Sequence, residues 1–319
     1  MRSFTGTENY AFPTHTDIVQ RICQFRQGLS VLSGTIKNRE FEPIILSTNT
    51  CDTNRGSRLD LLILIKSAII YRSRRATIRN LWANNHCWGQ LNVRHVFVLG
   101  TMKNTSSLWS KLIQQEYRLF GDLIQGNFID HYYNNTHKMI FAIRWAVAFC
   151  PETRWILFVD DDYFVDTRLV SNFLTQLDPR LTSRLLIGNV YAASPVYRRG
   201  IDRSKWTVSY SLYPYHTYPK FVPAGFFLLG TDLALDIYVG SRYTRFFPFD
   251  DVFLGLIMNK LLLRPTHKSE WRMQTSAQFR TNQSFACHGV ITSTQQQIYW
   301  KAAHLHSMCL HTVDQLSVL

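Results

Sequence analysis

Apolar and polar residues fall into a regular order only after about residue 57. "LDLLILIKS" is a short apolar run suited to a buried strand, and "RSRRATIRNLWANN" carries helical spacing through Ile78, Leu81 and Trp82. "RHVFVLG" predicts a second strand ended by Gly100, "SLWSKLIQQEYRLFGD" a helix stopped at Gly121, and "DLIQGNF" a third short strand. "NNTHKMIFAIRWAVAFCPE" predicts a long helix ended by Pro151, and "RWILFV" a fourth strand. "DTRLVSNFLTQLDP" predicts a helix with Asp166 as N-cap that closes before Pro179. Strands alternating with helices imply an α/β domain with a largely parallel sheet, whose ligands gather at the carboxyl ends of the strands.

The flanks read differently. Residues 1–57 lack sustained periodicity and are expected to form a stem or irregular lead-in, leaving 58–319 as a single domain. "RSKWTVSYSLYPYHTYPKFVPAGFFLLG" is dense in Tyr, Pro and Gly, which predicts a loop and β substructure shaping a pocket. "TDLALDIYVG" and "FDDVFLGLIMNKLLL" then predict helices with acidic starts that suit the helix dipole.

With 46% apolar residues in 319, the chain can bury a sizeable core. Its formal net charge of +13 favours polyanions, phosphorylated ligands or acidic membrane surfaces without choosing among them. Arginines cluster at Arg72, Arg74, Arg75 and Arg79 and again at Arg198, Arg199 and Arg203, and a solvated basic face would explain either group. The six cysteines include no CxxC pair, which argues against a zinc ribbon or a thioredoxin-type site and leaves their pairing open. Sequons at Asn104, Asn134 and Asn282, together with the cysteines, lean towards an oxidising lumen. Against that, no apolar run reaches the roughly 18 residues of a membrane span, and the first residues lack the basic-then-apolar layout of a signal peptide.

Three stretches could carry chemistry. Asp160, Asp161 and Asp162 follow one another directly behind the strand "WILFV", and their mutual repulsion calls for a positive partner. A hard divalent cation would supply it, because Mg²⁺ and Mn²⁺ prefer oxygen ligands; an acidic turn is the plainer explanation. Asp250 and Asp251 in "PFDDVFLG" suit either helix capping or a general base. Ala224-Gly225 lies between aromatic stretches, so either a tight turn follows Pro223 or small residues let a bulky ligand approach the backbone.

Taken in order, these stretches resemble the beta-1,3-glycosyltransferase family that includes galactosyl- and N-acetylglucosaminyltransferases, family 31 of the sugar-nucleotide enzymes. The likeness runs from about Leu61 to about Gly255, with a fainter tail to Trp300. "RRATIRNLW" is similar to the family's R-x-x-I-R-x-T-W element through Arg75, Ile78, Arg79 and Trp82, with Leu81 in place of Thr. In "GDLIQGNFIDHYYNNTHK", residues Asp122, Phe128, Asp130, Tyr133, Asn134, Thr136 and Lys138 fall on a second element, while Asn127 stands where Asp is common. "FVDDDYFVD" is similar to D-D-D-x-F-V, "KWTVSYSLYPYHTYPKFVPAG" to a K-W…Y-P…G element, and "FDDVFLG" to E-D-V-x-x-G. "VPAGFF" is closer to brainiac-like members, from which the donor sugar does not follow.

The resemblance implies a GT-A-type nucleotide-sugar fold, with 58–178 as donor half and 179–319 as acceptor half. It implies UDP-Gal or UDP-GlcNAc as donor, and Mn²⁺ or Mg²⁺ bound by Asp162 and Asp160. Asp160, Asp161, Arg75 and Arg79 would meet the nucleotide. Asp251 would be the general base, and Tyr218, Ala224, Gly225 and Asp250 would serve the acceptor, a glycan of a glycolipid or glycoprotein. It also implies a type II membrane protein of the Golgi lumen, although no anchor is visible.

Where the family often has a metal-completing His after its V-I-T element, this chain has Thr294. Either His288 substitutes, or the metal is held by carboxylate, diphosphate and water alone, or activity is impaired. A catalytically silent sugar-binding relative is therefore one competing reading. A metal-dependent nuclease or phosphotransferase is another, weakened by the lack of any nucleic-acid-binding motif.

Overall fold

The computed structural model describes residues 16–29, 35, 41–52, 58–103, 107–178, 182–198, 205–272, 274–275, 278–281, 283–303, 305 and 309. In chain order these hold α1 (Ile18–Arg26), β1 (Pro43–Ile45), β2 (Leu61–Lys66), α2 (Arg72–Asn80), β3 (Val93–Thr101), α3 (Ser107–Phe120) and β4 (Leu123–Ile129). There follow α4 (Asn135–Phe149), β5 (Trp155–Asp160), β6 (Tyr163–Val165), α5 (Thr167–Thr175), β7 (Leu186–Gly188) and β8 (Phe226–Gly230). The remainder are α6 (Thr231–Ser241), α7 (Asp250–Lys260), β9 (Thr266–His267), β10 (Gln274–Thr275), β11 (Ala286–His288) and α8 (Ser293–Ala302).

The main sheet runs β1-β4-β3-β2-β5-β8-β7-β9. Its centre, β4-β3-β2-β5, is parallel, and β8 pairs antiparallel with β5. This is the α/β arrangement that the alternating pattern predicts. β2 is buried at every position because helices cover both faces. Leu62 and Leu64 join one core with α4, α6 and α7 residues such as Ala142, Ile237 and Leu254, while Leu61, Ile63 and Ile65 join the opposite core with Ile78, Trp82 and Trp300. Gly121 adopts the left-handed backbone that ends α3, and Asp166 Oδ1 accepts from Leu169 N as the cap of α5.

Two expectations need correction. The aromatic stretch ends in a full central strand, "FFLLG" of β8, because its side chains pack on both faces of the sheet, as in the Phe158–Phe227 stack. The lead-in also contributes ordered elements. Helix α1 buries Ile18 and Ile22 in the core and ties Arg26 to the buried Asp236 at 2.7 Å, and β1 pairs with β4 at the sheet edge. Nine-residue α1 shows too little periodic signal to be read without the α6 surface it covers.

Two disulfides, Cys51–Cys150 and Cys87–Cys309, pair four of the six cysteines. No helix among the described residues is long and apolar enough to cross a membrane. The sequon residues Asn104 and Asn282, and Arg199 and Arg203 of the second basic cluster, lie outside the described residues. At the remaining sequon the side chains are engaged: Asn134 Nδ2 donates to Ile129 O at 2.8 Å and the buried Thr136 Oγ1 to Phe247 O at 2.7 Å.

Candidate active site

Strand register builds the centre of the site. The parallel pairing of β2 with β5 sets Leu61 beside Trp155 and, at the carboxyl ends, Lys66 beside Asp160. Lys66 Nζ lies 2.9 Å from Asp160 Oδ1 and 2.8 Å from Asp250 Oδ2, the latter brought in by the first turn of α7. Each aspartate of the triplet has its own basic partner. Arg74 Nη1 reaches Asp161 Oδ1 at 2.6 Å, and His288 Nε2 stands 3.3 Å from Asp162 Oδ2. The positive partner that the triplet requires is thus supplied in part by the protein.

Neighbouring elements hold this arrangement. Asp161 N donates to Lys66 O, Asp160 N to Gly225 O, and Val290 N to Asp162 O, linking the triplet to β2, β8 and the segment after β11. The start of α4 ties two loops together: Lys138 Nζ donates to Ser67 O at 2.6 Å and pairs with Asp130 at 2.5 Å, and Thr136 holds the residue three before Asp250. That is the structural use of the "DHYYNNTHK" stretch.

Burial and charge set the ionisation of these groups. Burial would lower the Lys66 pKa, but Asp160 and Asp250 outweigh it and hold the lysine charged. Asp160 is pushed up to about 6 by burial, with Asp162 and Asp250 adding to the rise and Lys66 opposing it. For Asp162 burial is outweighed by His288 and Arg74, so its carboxyl sits below the usual range. Asp251 is raised to about 7, by burial first and by the Asp250 charge second. Its Oδ1 accepts from Val252 N at 2.7 Å.

Several expected site residues serve other ends. Arg75 and Arg79 present no guanidinium to a nucleotide. Both are buried, Arg75 on Glu116 at 2.8 Å and Arg79 on Glu116 at 2.8 Å and Asp122 at 2.7 Å, where they lock α2 to α3 and β4. The arginine that faces the triplet is Arg74. Asp250 does not cap α7, whose N-cap is Phe249, and its carboxylate is committed to Lys66 rather than presented to an acceptor. Gly225 leaves room for a protein side chain rather than a ligand, since a Cβ there would lie 2.5 Å from Tyr163 Oη. Ala224 is buried beside it. Tyr218 is buried with its Oη lacking a hydrogen-bond partner, and Asp251 acts on it electrostatically. Thr294 sits exposed in the first turn of α8, and His288 is the histidine facing the triplet.

Lys66 and Arg74 went unassigned in the sequence, Lys66 because it reads as an interruption of an apolar strand. A lysine closing a fully buried strand is itself a signal, since burying an ammonium without carboxylate partners is prohibitive.

Among the described residues no three His, Cys, Asp or Glu side chains converge as a ready-made metal centre. The donors present do fit a cation held by few protein ligands. Asp162 and His288 offer oxygen and nitrogen, and Asp162 Oδ1 is buried without a partner. Hard cations at such sites complete their shells with water and substrate phosphate oxygens.

Residues 73–269 match the family described as Galactosyltransferase. The Beta-1,3-galactosyltransferase brn of Drosophila melanogaster is 35% identical over 218 residues, covering 68% of this chain and 65% of that protein. The Lactosylceramide 1,3-N-acetyl-beta-D-glucosaminyltransferase A of Xenopus laevis is 35% identical over 215 residues, 65% of this chain and 56% of that protein. The alignments thus span less than two thirds of both relatives. A solved galactosyltransferase in complex with donor and acceptor sugar analogues overlaps at a TM-score of 0.39 and 11% identity, covering 80% of this chain and 98% of that one, an overlay too loose to carry weight. With a family match across more than half its length, and with Asp160 of the triplet and Asp250 of the second acidic pair meeting at Lys66, the chain belongs to the galactosyltransferase family of glycosyltransferase enzymes.

Proposed function

We propose that this chain transfers a hexose, Gal or GlcNAc, from a UDP-sugar to the 3-hydroxyl of an acceptor glycan, with inversion at the anomeric carbon. The observation that carries this reading is the Lys66 bridge. One ammonium ties Asp160 on the donor side to Asp250, the neighbour of the base candidate Asp251. The names of the relatives print both sugars, so both donors belong in the proposal.

Asp251, ionised, takes the proton of the acceptor's 3-hydroxyl. The oxygen then bonds to the anomeric carbon as the bond from that carbon to UDP breaks, its electron pair leaving with the nucleotide. Burial suits Asp251 to this task, because a carboxyl raised to about 7 is basic enough to accept a proton yet still ionised in part near neutrality. Asp250, anchored by Lys66, lies beside Asp251 and adds to the rise that makes Asp251 the stronger base. Asp162 and His288 would hold Mn²⁺ or Mg²⁺, and such an ion supplies charge neutralisation for the departing diphosphate. Arg74 engages one carboxylate oxygen of Asp161 at 2.6 Å. Tyr218 Oη, buried and without a partner, is a hydroxyl an acceptor could satisfy.

The acceptor belongs to a glycolipid or glycoprotein. The two disulfides support an oxidising compartment, consistent with the Golgi lumen. Radiolabelled UDP-Gal and UDP-GlcNAc, offered with Mn²⁺ and a panel of β-glycosides, test the reading. Transfer is expected with one donor, and Asp251→Asn should reduce it about 10²–10⁴-fold while UDP still binds. UDP binding without transfer to any acceptor would favour a catalytically silent sugar-binding relative instead.

A further inference from the structure

The chain has eight tryptophans, and only Trp206 is exposed, with 47% of its surface open to solvent. An indole carries a large apolar area that folding normally buries. This one is held in place. Its Nε1 donates to Tyr132 Oη at 2.6 Å, and Lys205 Nζ lies 4.4 Å from the Tyr132 ring centroid and 5.3 Å from that of Trp206. Tyr133 Oη donates to Lys205 O at 3.0 Å, pinning the Lys205–Trp206 backbone to the turn before α4. The indole's one polar atom is therefore satisfied within the cluster, and what it shows to solvent is apolar ring.

The cluster leads to the candidate base. From Phe249, which immediately precedes Asp250 and Asp251, the Tyr133 ring is 6.4 Å away, and Tyr132 lies 5.5 Å beyond it. Trp206 follows through its hydrogen bond to Tyr132, and Tyr197 lies 6.4 Å further on. The charges of Asp251 and Asp250 reach the Tyr132 hydroxyl, and that of Lys205 reaches His288, so the row borders both sides of the site. A sugar whose 3-hydroxyl meets Asp251 lies at the Phe249 end, and a ring stacked on Trp206 belongs to the next residue of the glycan.

We infer that Trp206, braced by Tyr132, Tyr133 and Lys205, is the stacking platform for the second sugar of the acceptor, so that the substrate class is a disaccharide or longer glycan. This rests on the transferase reading above. Pyranose rings present an apolar C–H face and a rim of hydroxyls, which matches a fixed aromatic surface beside an ammonium donor. Exposed Trp, Tyr and Lys also occur where proteins meet a bilayer. Here the row runs into the Asp250–Asp251 pair, a place that excludes lipid, which favours the sugar.

The test uses the full chain and a panel of p-nitrophenyl glycosides, comparing the best disaccharide acceptor with the glycoside of its terminal sugar alone. Wild type should favour the disaccharide about tenfold to hundredfold in kcat/KM. Trp206→Ala should erase that preference through KM, and Trp206→Phe should keep most of it and show that the surface folds. Equal losses on both acceptors, or no preference in wild type, would overturn the inference. If wild type transfers to no acceptor, the transferase reading fails separately. The platform is then judged by fluorescence: disaccharides should quench an emission that Trp206→Phe lacks, and absence of quenching overturns it. Loss of binding to phosphatidylcholine–phosphatidylserine vesicles in Trp206→Ala, with disaccharide KM unchanged, would assign the surface to a membrane and overturn it too.

Discussion

Lys66→Met removes an ammonium 2.9 Å from Asp160 and 2.8 Å from Asp250 while keeping most of the side-chain volume. The lysine side chain is 5% exposed and that of Asp250 10%, so water cannot replace the lost partner on that side. Breaking a buried pair by removing one member costs about 3–5 kcal/mol. Asp160 is a third exposed, so its half is partly rehydrated, which brings the expected loss to about 2–4 kcal/mol. For a domain of this size that corresponds to a melting temperature lowered by roughly 3–7 °C. Thermal and urea unfolding of Lys66→Met, Asp250→Asn and the double variant measure it. The double variant should recover part of the loss, with a coupling energy of about 1–3 kcal/mol, because the stranded charge is gone. The unpaired carboxylates cost most when ionised, so the deficit should be larger at pH 8 than at pH 5. A Lys66→Met protein melting within about 1 °C of wild type would refute the bridge, as would a double variant with no coupling.

Other expectations follow from the same geometry. Burial raises Asp122 but hydrogen bonds from His95 and Arg79 prevail and hold it at about 2, so Asp122→Asn should cost about 2 kcal/mol at pH 7. A depressed carboxyl stabilises above its unfolded value near 3.8, so in urea titrations this difference should shrink as pH falls from there towards 2. With Asp251 raised to about 7 and needed as the ionised base, the transfer rate should climb between pH 6 and 8, and a flat profile would count against Asp251 as base. His288→Ala should weaken Mn²⁺ binding to the UDP-loaded protein about tenfold or more by titration calorimetry, whereas Thr294→Ala should leave it unchanged. Replacing Cys51 and Cys150 by Ala opens a link across 99 residues and should lower stability by about 2–5 kcal/mol in chemical unfolding.

The parallel core was legible because each of its strands carries a short apolar run, as in "LLILI" and "WILFV", and helical spacing separates them. β8 was obscured because an apolar run preceded by Tyr, Pro and Gly reads as loop and local β substructure, and its place in the main sheet shows only once its neighbour β5 is known. The acidic residues could be seen in the sequence, but their partners could not. Nothing local distinguishes Arg74, which faces Asp161, from Arg75, one residue on and buried against Glu116; helix phase and the position of α3 decide between them. The pairing of Lys66 with Asp250 spans 184 residues and exists only once β2, β5 and α7 share one end of the sheet. Trp206 looked like one member of an aromatic stretch, and only its exposure sets it apart from the other seven.

The central claim, transfer of a UDP-bound hexose with Asp251 as base, is tested most directly by product analysis of wild type and Asp251→Asn. Wild type with Mn²⁺ and a competent glycoside acceptor should yield a β linkage at the acceptor's 3-oxygen by NMR, and Asp251→Asn should bind UDP as tightly yet form product about 10²–10⁴-fold more slowly. An α-linked product, or an Asp251→Asn enzyme that turns over at the wild-type rate, would contradict the account.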